Sequence, residues 1–420
     1  MAGVGEWLRG LFGGEEGPHP GLAPPQSGPG RNGQQSFADD SNDFALAMYA
    51  HLRQLPGNLF FCPFSIRTAL VMTQAGARGE TAVQMREALR LSSSDEALHV
   101  AFEEIIQQLN AAGGDEYEMT VASSLWGQDD APLQPGFLDL VARHYGGAVN
   151  LVDFSHAAES ARTAMNRWVE DKTRKKIRDL IPSGGLGADT RLVLVNAVYF
   201  KGLWVLRFSR WATRDEPFYL EHGGKVRAPL MFQHERVLHL KAADYQAVDL
   251  IYRGGDLSML VLLPDRRDGL RHLEARLSVR MLHDCALKMT RREVKLFVPR
   301  FKITWGSVDM REPLTGLGMP LAFTRSKANF SGINTYEPPA QESLFLSAVL
   351  HKAFVEVDEE GTEAAAATAT LVRPSAAFLP SMPPRIPIFR ADHPFLFAIR
   401  DRKTGTILFL GRVADPTRES

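Results

Sequence analysis

Residues 359–370 read Glu-Glu-Gly-Thr-Glu-Ala-Ala-Ala-Ala-Thr-Ala-Thr, and no side chain after Glu363 in this run is larger than threonine. Taken alone, the run favours a helix, because alanine is the best helix former and Thr362 before Glu363 resembles a helix start. Read instead as a strand, it places only small residues on one face and its charge on the other. Such a pattern suits a strand that inserts into the middle of an existing sheet. The inward face of that strand would consist of Thr362, Ala364, Ala366, Thr368 and Thr370.

The composition changes abruptly just after this run. Five prolines follow within fourteen positions, at Pro374, Pro380, Pro383, Pro384 and Pro387. Proline lacks the backbone N–H and clashes with the preceding helical turn, so this segment cannot form a helix. The sequence therefore predicts an exposed, extended loop that is entered through uniformly small residues.

The segments on either side resemble a known family. Leu344–Val357 before the run and Phe389–Phe397 after it are similar to the reactive-loop region of serpins, from the strand that feeds the hinge to the strand that receives the loop. Further blocks match in the family's order, and together they span about residues 37–416. The resemblance reverses the preference for a helix. The blocks are Asn58–Ile66, Gly76–Thr81, Asn166–Ile177, Asn196–Trp204, Phe297–Ile303 and Asn329–Ile333.

The resemblance implies a particular architecture: an α+β serpin fold with three β-sheets, a bundle of helices and an exposed reactive loop near the C-terminus. We expect one serpin domain over residues 37–420, with the reactive loop at about 359–388. Residues 1–35 hold ten glycines and five prolines. A composition of this kind cannot bury enough apolar surface to fold, so residues 1–36 are predicted to be a disordered tail.

Hydrophobic periodicity supports an α+β domain independently of the resemblance. Helical spacing predominates in the first half and alternating or continuous apolar runs in the second, with no linker between them. Helices are predicted over Asp43–Leu55, Ile66–Leu89 (interrupted at Gly76 and Gly79), Glu96–Leu109 and Arg162–Leu180. Strands are predicted over Glu118–Trp126, Leu192–Phe200, Val226–Phe232, Leu257–Leu263, Val294–Ile303, Leu344–Val357 and Ile407–Val413.

Composition excludes several classes of function. The 420 residues are 45% hydrophobic, enough for a large core, and the formal net charge of −1 gives no general reason to bind nucleic acid or an anionic membrane. No run of 18 apolar residues predicts a transmembrane helix. Cys62 and Cys285 are too few for a disulfide framework; we expect buried free thiols, with a single bridge as the alternative.

The N-terminus shows no secretory signal, because Glu6 and Arg9 interrupt what would be its apolar core. The family resemblance implies an extracellular setting, and the missing signal leaves an intracellular one open.

Motifs for enzymatic chemistry are weak. There is no Gly-x-Ser-x-Gly elbow, no Gly-x-x-x-x-Gly-Lys loop and no Cys-x-x-Cys pair. His234 and His239 lie five apart, so they would not align on one helical face as zinc ligands. We interpret them as surface residues of a strand-rich region. The sequence therefore predicts no enzyme, no metal site and no cofactor.

Two polar residues interrupt apolar strands and are candidate site residues. Asn196 and His351 should each have a hydrogen-bond partner if they are buried. The resemblance implies that they form a network with Ser65 beneath the point where the central sheet opens, and that Cys62 replaces the usual serine there. A satisfied core cluster without a dynamic role is the alternative. Trp204 matches the tryptophan at the loop's entry point, and a plain core tryptophan is the alternative.

The resemblance implies a suicide-substrate inhibitor of a serine protease that is elastase-, subtilisin- or chymotrypsin-like, with a cysteine protease as a further candidate. The inhibitor is expected to act as a monomer. The cleaved loop would insert into the central sheet through the hinge, which comprises Glu359, Glu360, Gly361, Thr362, Glu363, Ala364, Ala365, Ala366 and Ala367. The alternative is a non-inhibitory binding or carrier protein with a cleavable loop.

The reactive bond follows from a count along the loop. The inserted strand must carry the protease along the sheet at roughly 3.3 Å per residue, and in inhibitory serpins it spans about seventeen residues. Counting from Glu359 gives Ser375–Ala376 as the reactive bond. The loop is a few residues longer than usual, which leaves Phe378–Leu379 as the alternative.

Overall fold

A computed structural model of the chain describes residues 31–112, 117–130, 133–145, 148–340, 343–361 and 386–419. The helices of the described residues are α1 Arg31–Leu52, α2 Pro63–Gln74, α3 Gly79–Ala88, α4 Asp95–Ala112, α5 Pro135–Tyr145, α6 Phe154–Lys172, α7 Leu270–Arg276, α8 Val279–Lys288 and α9 Arg311–Gly316. Short 3-10 turns occur at Arg210–Ala212 and Pro320–Phe323.

The strands lie mostly in the second half of the chain, as the periodicity predicts. They are β1 Leu59–Phe61, β2 Tyr117–Gln128, β3 Ala148–Val152, β4 Leu192–Gly202, β5 Arg214–Tyr219, β6 Lys225–Lys241, β7 Tyr245–Ile251, β8 Leu257–Pro264, β9 Thr290–Pro299, β10 Phe301–Asp309, β11 Leu346–Val357, β12 Ile388–Arg390, β13 Phe395–Asp401 and β14 Ile407–Val413.

A five-stranded sheet occupies the centre of the molecule in the order β10-β11-β4-β2-β3. Strands β11 and β4 are adjacent and parallel, and His351 lies opposite Asn196 in their register. The outer neighbours β10 and β2 pair antiparallel to this central pair. An additional strand running antiparallel to both β11 and β4 could therefore bond to each of them.

The other described strands form one continuous hydrogen-bonded network in the order β1-β14-β13-β8-β7-β6-β9-β12, with β5 on β6. The long strand β6 pairs with β5 over Lys225–Leu230 and with β7 over Leu238–Lys241. Two of the three sheets that the resemblance implies are thus joined through β6.

Both faces of the five-stranded sheet are covered near β4. Leu192, Leu194, Val198 and Phe200 belong to the main core, whereas Val193, Val195, Ala197 and Tyr199 pack in a second cluster together with α6. Burial on both faces explains why β4 is a nearly continuous apolar run rather than an alternating one. Asn196 is the polar interruption in that run.

Helix α6 ends earlier than its periodicity predicts, at Lys172 instead of Leu180. The Thr173 hydroxyl donates to the Val169 carbonyl (2.8 Å) and accepts from the Ile177 amide (3.2 Å). Arg174 and Lys175 then adopt positive φ angles of 49° and 62°. Ile177 and Leu180 are buried although they lie in an irregular segment after α6. Their helical spacing therefore led to a helix prediction that was too long.

Three further expectations need correction. The predicted strand Val294–Ile303 is two strands, because the extended chain leaves β9 at Pro299 and enters β10 in the other sheet at Phe301. Helix α1 begins at Arg31, so residues 31–36 of the predicted tail are helical and residues 1–30 lie outside the described ranges. His234 and His239 lie in β6, but His239 is only 1% exposed and is not a surface residue.

Cys62 and Cys285 are both buried, and neither forms a disulfide, as expected of the free-thiol interpretation.

Candidate functional site

Asn196 and His351 lie at the middle of the parallel β4–β11 pair, and both are fully buried. His351 Nδ1 is 2.6 Å from Asn196 Oδ1, and the Cys62 backbone N–H donates to His351 Nε2 at 3.2 Å. Because Nε2 accepts a hydrogen bond, the proton of the neutral ring belongs on Nδ1, from which it is donated to Asn196. The two strands are therefore linked by a side-chain hydrogen bond at their centre.

Burial lowers the pKa of His351 to about 3, which keeps the imidazole neutral. Protonation would put a second N–H on Nε2, facing the Cys62 N–H donor. A buried charge and two opposed donors are both unfavourable, so the geometry agrees with the direction of the pKa shift.

The first turn of α2 supplies the rest of the predicted network. The Ser65 hydroxyl is 2.8 Å from Asn196 Oδ1 and 3.1 Å from the Cys62 carbonyl oxygen. Cys62 is the N-cap of α2, and its Sγ accepts from the Ser65 N–H at 3.4 Å. Burial raises the pKa of the Cys62 thiol to about 12. Cys62 contacts His351 through its backbone N–H, so this hydrogen bond does not depend on the Cys62 side chain.

Ser123 belongs to this network, although the sequence did not indicate it. The Asn196 Nδ2 group donates to Ser123 Oγ at 2.7 Å, and the two residues are opposite each other in the β2–β4 register. The network therefore joins three strands of the central sheet, β2, β4 and β11, to the start of α2. Only the strand register, which the sequence does not show, could have identified Ser123.

The first residues of the predicted hinge lie where β11 ends, and their side chains are held by hydrogen bonds and ion pairs. Glu359 is 1% exposed and makes hydrogen bonds of 2.7 and 2.8 Å with Arg300 Nε. The Thr213 hydroxyl also donates to the Glu359 carboxylate. Burial acts to raise the pKa of Glu359, but the hydrogen bonds from Arg300 and Thr213 outweigh it, and the net shift is downward. The Glu360 carboxylate pairs with Arg210 at 2.7 Å.

Trp204 lies at the same point, directly after β4, and is 1% exposed. Its indole N–H donates to the Asp358 carbonyl at 3.0 Å, and its backbone N–H donates to the Glu360 carbonyl at 2.9 Å. The indole stacks on Tyr252, with ring centroids 4.5 Å apart. Trp204 is thus in direct contact with the start of the predicted hinge.

Gly361 is the last described residue of the hinge and forms an antiparallel bridge with Leu203, just beyond the end of β4. Its φ of 135° favours glycine, and a Cβ here would lie 2.1 Å from the Gly202 carbonyl oxygen. The chain has therefore turned back from β11 and already pairs antiparallel with the continuation of β4.

The remaining predicted site residues lie outside the described ranges. They are the hinge residues Thr362, Glu363, Ala364, Ala365, Ala366 and Ala367 and the reactive-bond candidates Ser375, Ala376, Phe378 and Leu379. In the part of the chain that is described, no cluster of His, Cys, Asp or Glu side chains could hold a metal ion. No described helix has the length and apolar character needed to cross a bilayer.

Comparison with known proteins agrees with this geometry. A family model described as "Serpin (serine protease inhibitor)" matches residues 39–416. The leukocyte elastase inhibitor of Homo sapiens is 38% identical over 91% of this chain and 100% of its own length. Uncleaved ovalbumin superposes with a TM-score of 0.80 at 30% identity, covering 90% of this chain and 99% of ovalbumin. Human thyroxine-binding globulin in complex with thyroxine superposes with a TM-score of 0.81 at 30% identity, covering 92% of this chain and 100% of the globulin chain. The chain belongs to the serpin family of serine protease inhibitors.

Proposed function

We propose that this protein is a suicide-substrate inhibitor of a serine endopeptidase and acts as a monomer. The protease serine attacks the carbonyl carbon of the residue before the reactive bond, the bond to the following nitrogen breaks, and an acyl-enzyme forms. The freed hinge then enters the central sheet between β4 and β11 and carries the tethered protease with it. Serpin loop insertion is a known example of strain release and strand addition.

The observation that carries this proposal is the antiparallel bridge between Gly361 and Leu203. It is the first pairing that a strand inserted beside β4 would make. Strand β11 ends at Val357, four residues before Gly361, so the chain reverses direction within a short turn. A strand that continued from this bridge would run antiparallel to both central strands.

The sequence of the hinge supports insertion. If Gly361 is the turn, the side chains from Thr362 to Thr370 that would face the core are threonine and alanine only. Small side chains can enter a packed sheet without creating overlap or burying charge. The first proline comes at Pro374, one residue before the end of the segment that would insert, so every residue from Thr362 to Arg373 has a backbone N–H to donate.

The target is proposed to be an elastase-, subtilisin- or chymotrypsin-like serine protease, with a cysteine protease as a further candidate. A small residue before the bond, as at Ser375, suits proteases with restricted primary pockets. The relative named leukocyte elastase inhibitor supports the same protease class.

A carrier function is the second candidate, and the structural likeness to thyroxine-binding globulin favours it. A carrier with this fold would be cleaved in its loop and released without trapping the protease. The two functions therefore differ in one product, a covalent complex that survives detergent.

Incubation with a panel of serine proteases tests the proposal. The expected result is a detergent-stable band at the summed mass of inhibitor and protease with at least one of them. Mass spectrometry of the released C-terminal peptide identifies the reactive bond in the same sample. Cleavage by every protease without any covalent band would favour the carrier function.

A further inference from the structure

A cavity of about 400 Å³ lies where strands β6 and β7 separate. The two strands pair only between Leu238–Lys241 and Gln246–Asp249. Beyond Asp249, strand β7 continues to Ile251, whose carbonyl accepts from the Val205 N–H at 2.9 Å. The segment after β4 therefore closes the gap between the strands but does not fill it. A cavity of this size falls in the range of roughly 300–1,000 Å³ that is typical of small-molecule sites.

The lining of the cavity combines apolar walls with a positive rim. Trp204, Leu206, Phe208, Val237 and Leu250 provide apolar surface. The rim has three cationic side chains, from Arg236, Arg291 and Arg402. Within the described ranges, none of these arginines forms an ion pair with a carboxylate; Arg291 and Arg402 donate to backbone carbonyls instead, at 3.3 and 2.7 Å. The rim therefore has positive charge available for an anion.

Asp249, which also lines the cavity, has an unsatisfied buried oxygen. Its side chain is 1% exposed, and Oδ2 accepts from Arg400 Nη2 at 3.0 Å. Among the described residues no group donates to Oδ1. A buried carboxylate oxygen without a donor is costly, so a donor brought by a ligand would be favourable there.

We propose that this cavity binds an amphipathic aromatic anion. Its flat apolar body lies along the Trp204, Phe208 and Val237 side chains, a donor on that body bonds to Asp249, and its acidic group lies among the rim arginines. The apolar body complements the apolar walls, the donor complements the unsatisfied Asp249 oxygen, and the acidic group complements the unpaired positive charge of the rim.

The segment that forms one wall of the cavity also makes hydrogen bonds to the start of the predicted hinge. A ligand in the cavity could therefore affect insertion of the hinge. Trp204 N–H and Phe208 N–H donate to the carbonyls of Glu360 and Glu359 at 2.9 and 2.8 Å. A ligand packed against this segment stabilises the anchored hinge and delays its insertion. This second step rests on the proposed function, whereas the binding site itself does not.

Fluorescence titration of the full chain with 6-(p-toluidino)-2-naphthalenesulfonate tests the site, because this probe has an aromatic body, an N–H donor and a terminal sulfonate. Its analogue without the sulfonate, N-(p-tolyl)-2-naphthylamine, serves as the uncharged comparison. We expect saturable binding of the sulfonate and about tenfold weaker binding of the analogue, which corresponds to one rim charge interaction. No saturable binding of the sulfonate would overturn the proposal.

Two variants test whether the probe binds in this cavity. Arg236→Gln should weaken sulfonate binding about tenfold and leave the analogue unchanged, whereas Arg325→Gln, an exposed arginine outside the cavity, should change neither. Leu206→Trp fills the cavity and should abolish binding of both compounds. Equal affinities in Arg236→Gln and Arg325→Gln would contradict the site. Arg236 is exposed, so this test does not depend on the folding of the Leu206 variant.

The effect on the hinge is measured with a protease that forms the covalent complex. Saturating probe should lower the ratio of complex to cleaved inhibitor by about fivefold, at the low end of usual coupling energies. An unchanged ratio at saturation would overturn the coupling. If no protease forms a complex even without the probe, the proposed function fails, and the fluorescence titration still decides the binding site.

Discussion

His351 is held neutral because it is fully buried, and its Nε2 already accepts a hydrogen bond from the Cys62 N–H. Its pKa of about 3 is far below the ordinary histidine value of about 6.5. Between these two values the unfolded chain binds a proton that the folded chain does not. The contribution of His351 to the unfolding free energy is therefore complete above about pH 6.5 and is lost as the pH falls towards 3.

The replacement His351→Gln should remove this pH dependence, because an amide can occupy a similar position without titrating. Between pH 7.5 and pH 5.0 we expect the parent to lose about 2 kcal/mol more unfolding free energy than the variant. Urea unfolding at the two pH values measures the difference. His222→Gln, at an exposed histidine, is the matched control and should behave like the parent. Identical pH dependence in parent and His351→Gln would refute the assignment.

Thr362 follows the Gly361–Leu203 bridge and is predicted to be the first hinge side chain that turns into the core. Thr362→Arg would bury an unpaired guanidinium at a cost of several kcal/mol, which slows insertion and lets deacylation win. The ratio of covalent complex to cleaved product on a gel should fall at least about tenfold. Glu363→Arg alters the neighbouring outward position and should trap protease almost normally. A Thr362→Arg variant that traps protease as well as the parent would show that this position does not enter the sheet.

The central strands were predictable as elements because they are buried on both faces. Leu192–Phe200 and Leu344–Val357 differ from β4 and β11 by only two residues at one end. The predicted elements were wrong where the spacing of buried residues matches a secondary structure that the segment does not form. The segment after α6 buries Ile177 and Leu180 without being helical, and one extended run crosses from β9 into β10.

The candidate site was predictable only in part. Asn196 and His351 were visible as polar interruptions, and the resemblance added Cys62, Ser65 and Trp204. The partners Ser123, Arg300 and Thr213 were not visible, because each contact depends on strand register or on a chain crossing between distant segments. Arg300 and Glu359 are 59 residues apart in sequence.

The reactive loop should be cut at Ser375–Ala376 by its target protease. Counting from Glu359, this bond gives an insertable segment of about seventeen residues, long enough to span the sheet at roughly 3.3 Å per residue. Mass spectrometry should find a released peptide that begins at Ala376. A peptide beginning at Leu379 would support the alternative bond Phe378–Leu379, and one beginning later would contradict both counts.

At the scale of the whole molecule, segments near the two ends of the described chain pair with each other. Strand β1 at Leu59–Phe61 pairs with β14 at Ile407–Val413, and the first turn of α2 reaches the centre of the five-stranded sheet. Insertion of a strand between β4 and β11 must separate a pair joined by the Asn196–His351 hydrogen bond. Separation of these two strands would therefore disrupt a network that also includes α2 and β2.

Thermal unfolding before and after a single cut in Leu371–Met382 tests loop insertion directly. Insertion lets the freed hinge form backbone hydrogen bonds with strands on both sides, each contributing roughly 0.5–1.5 kcal/mol. The unfolding midpoint of the nicked protein should therefore rise by about 10 °C or more. The nicked Thr362→Arg variant should gain clearly less. An unchanged midpoint after complete cleavage would contradict insertion of the loop between β4 and β11.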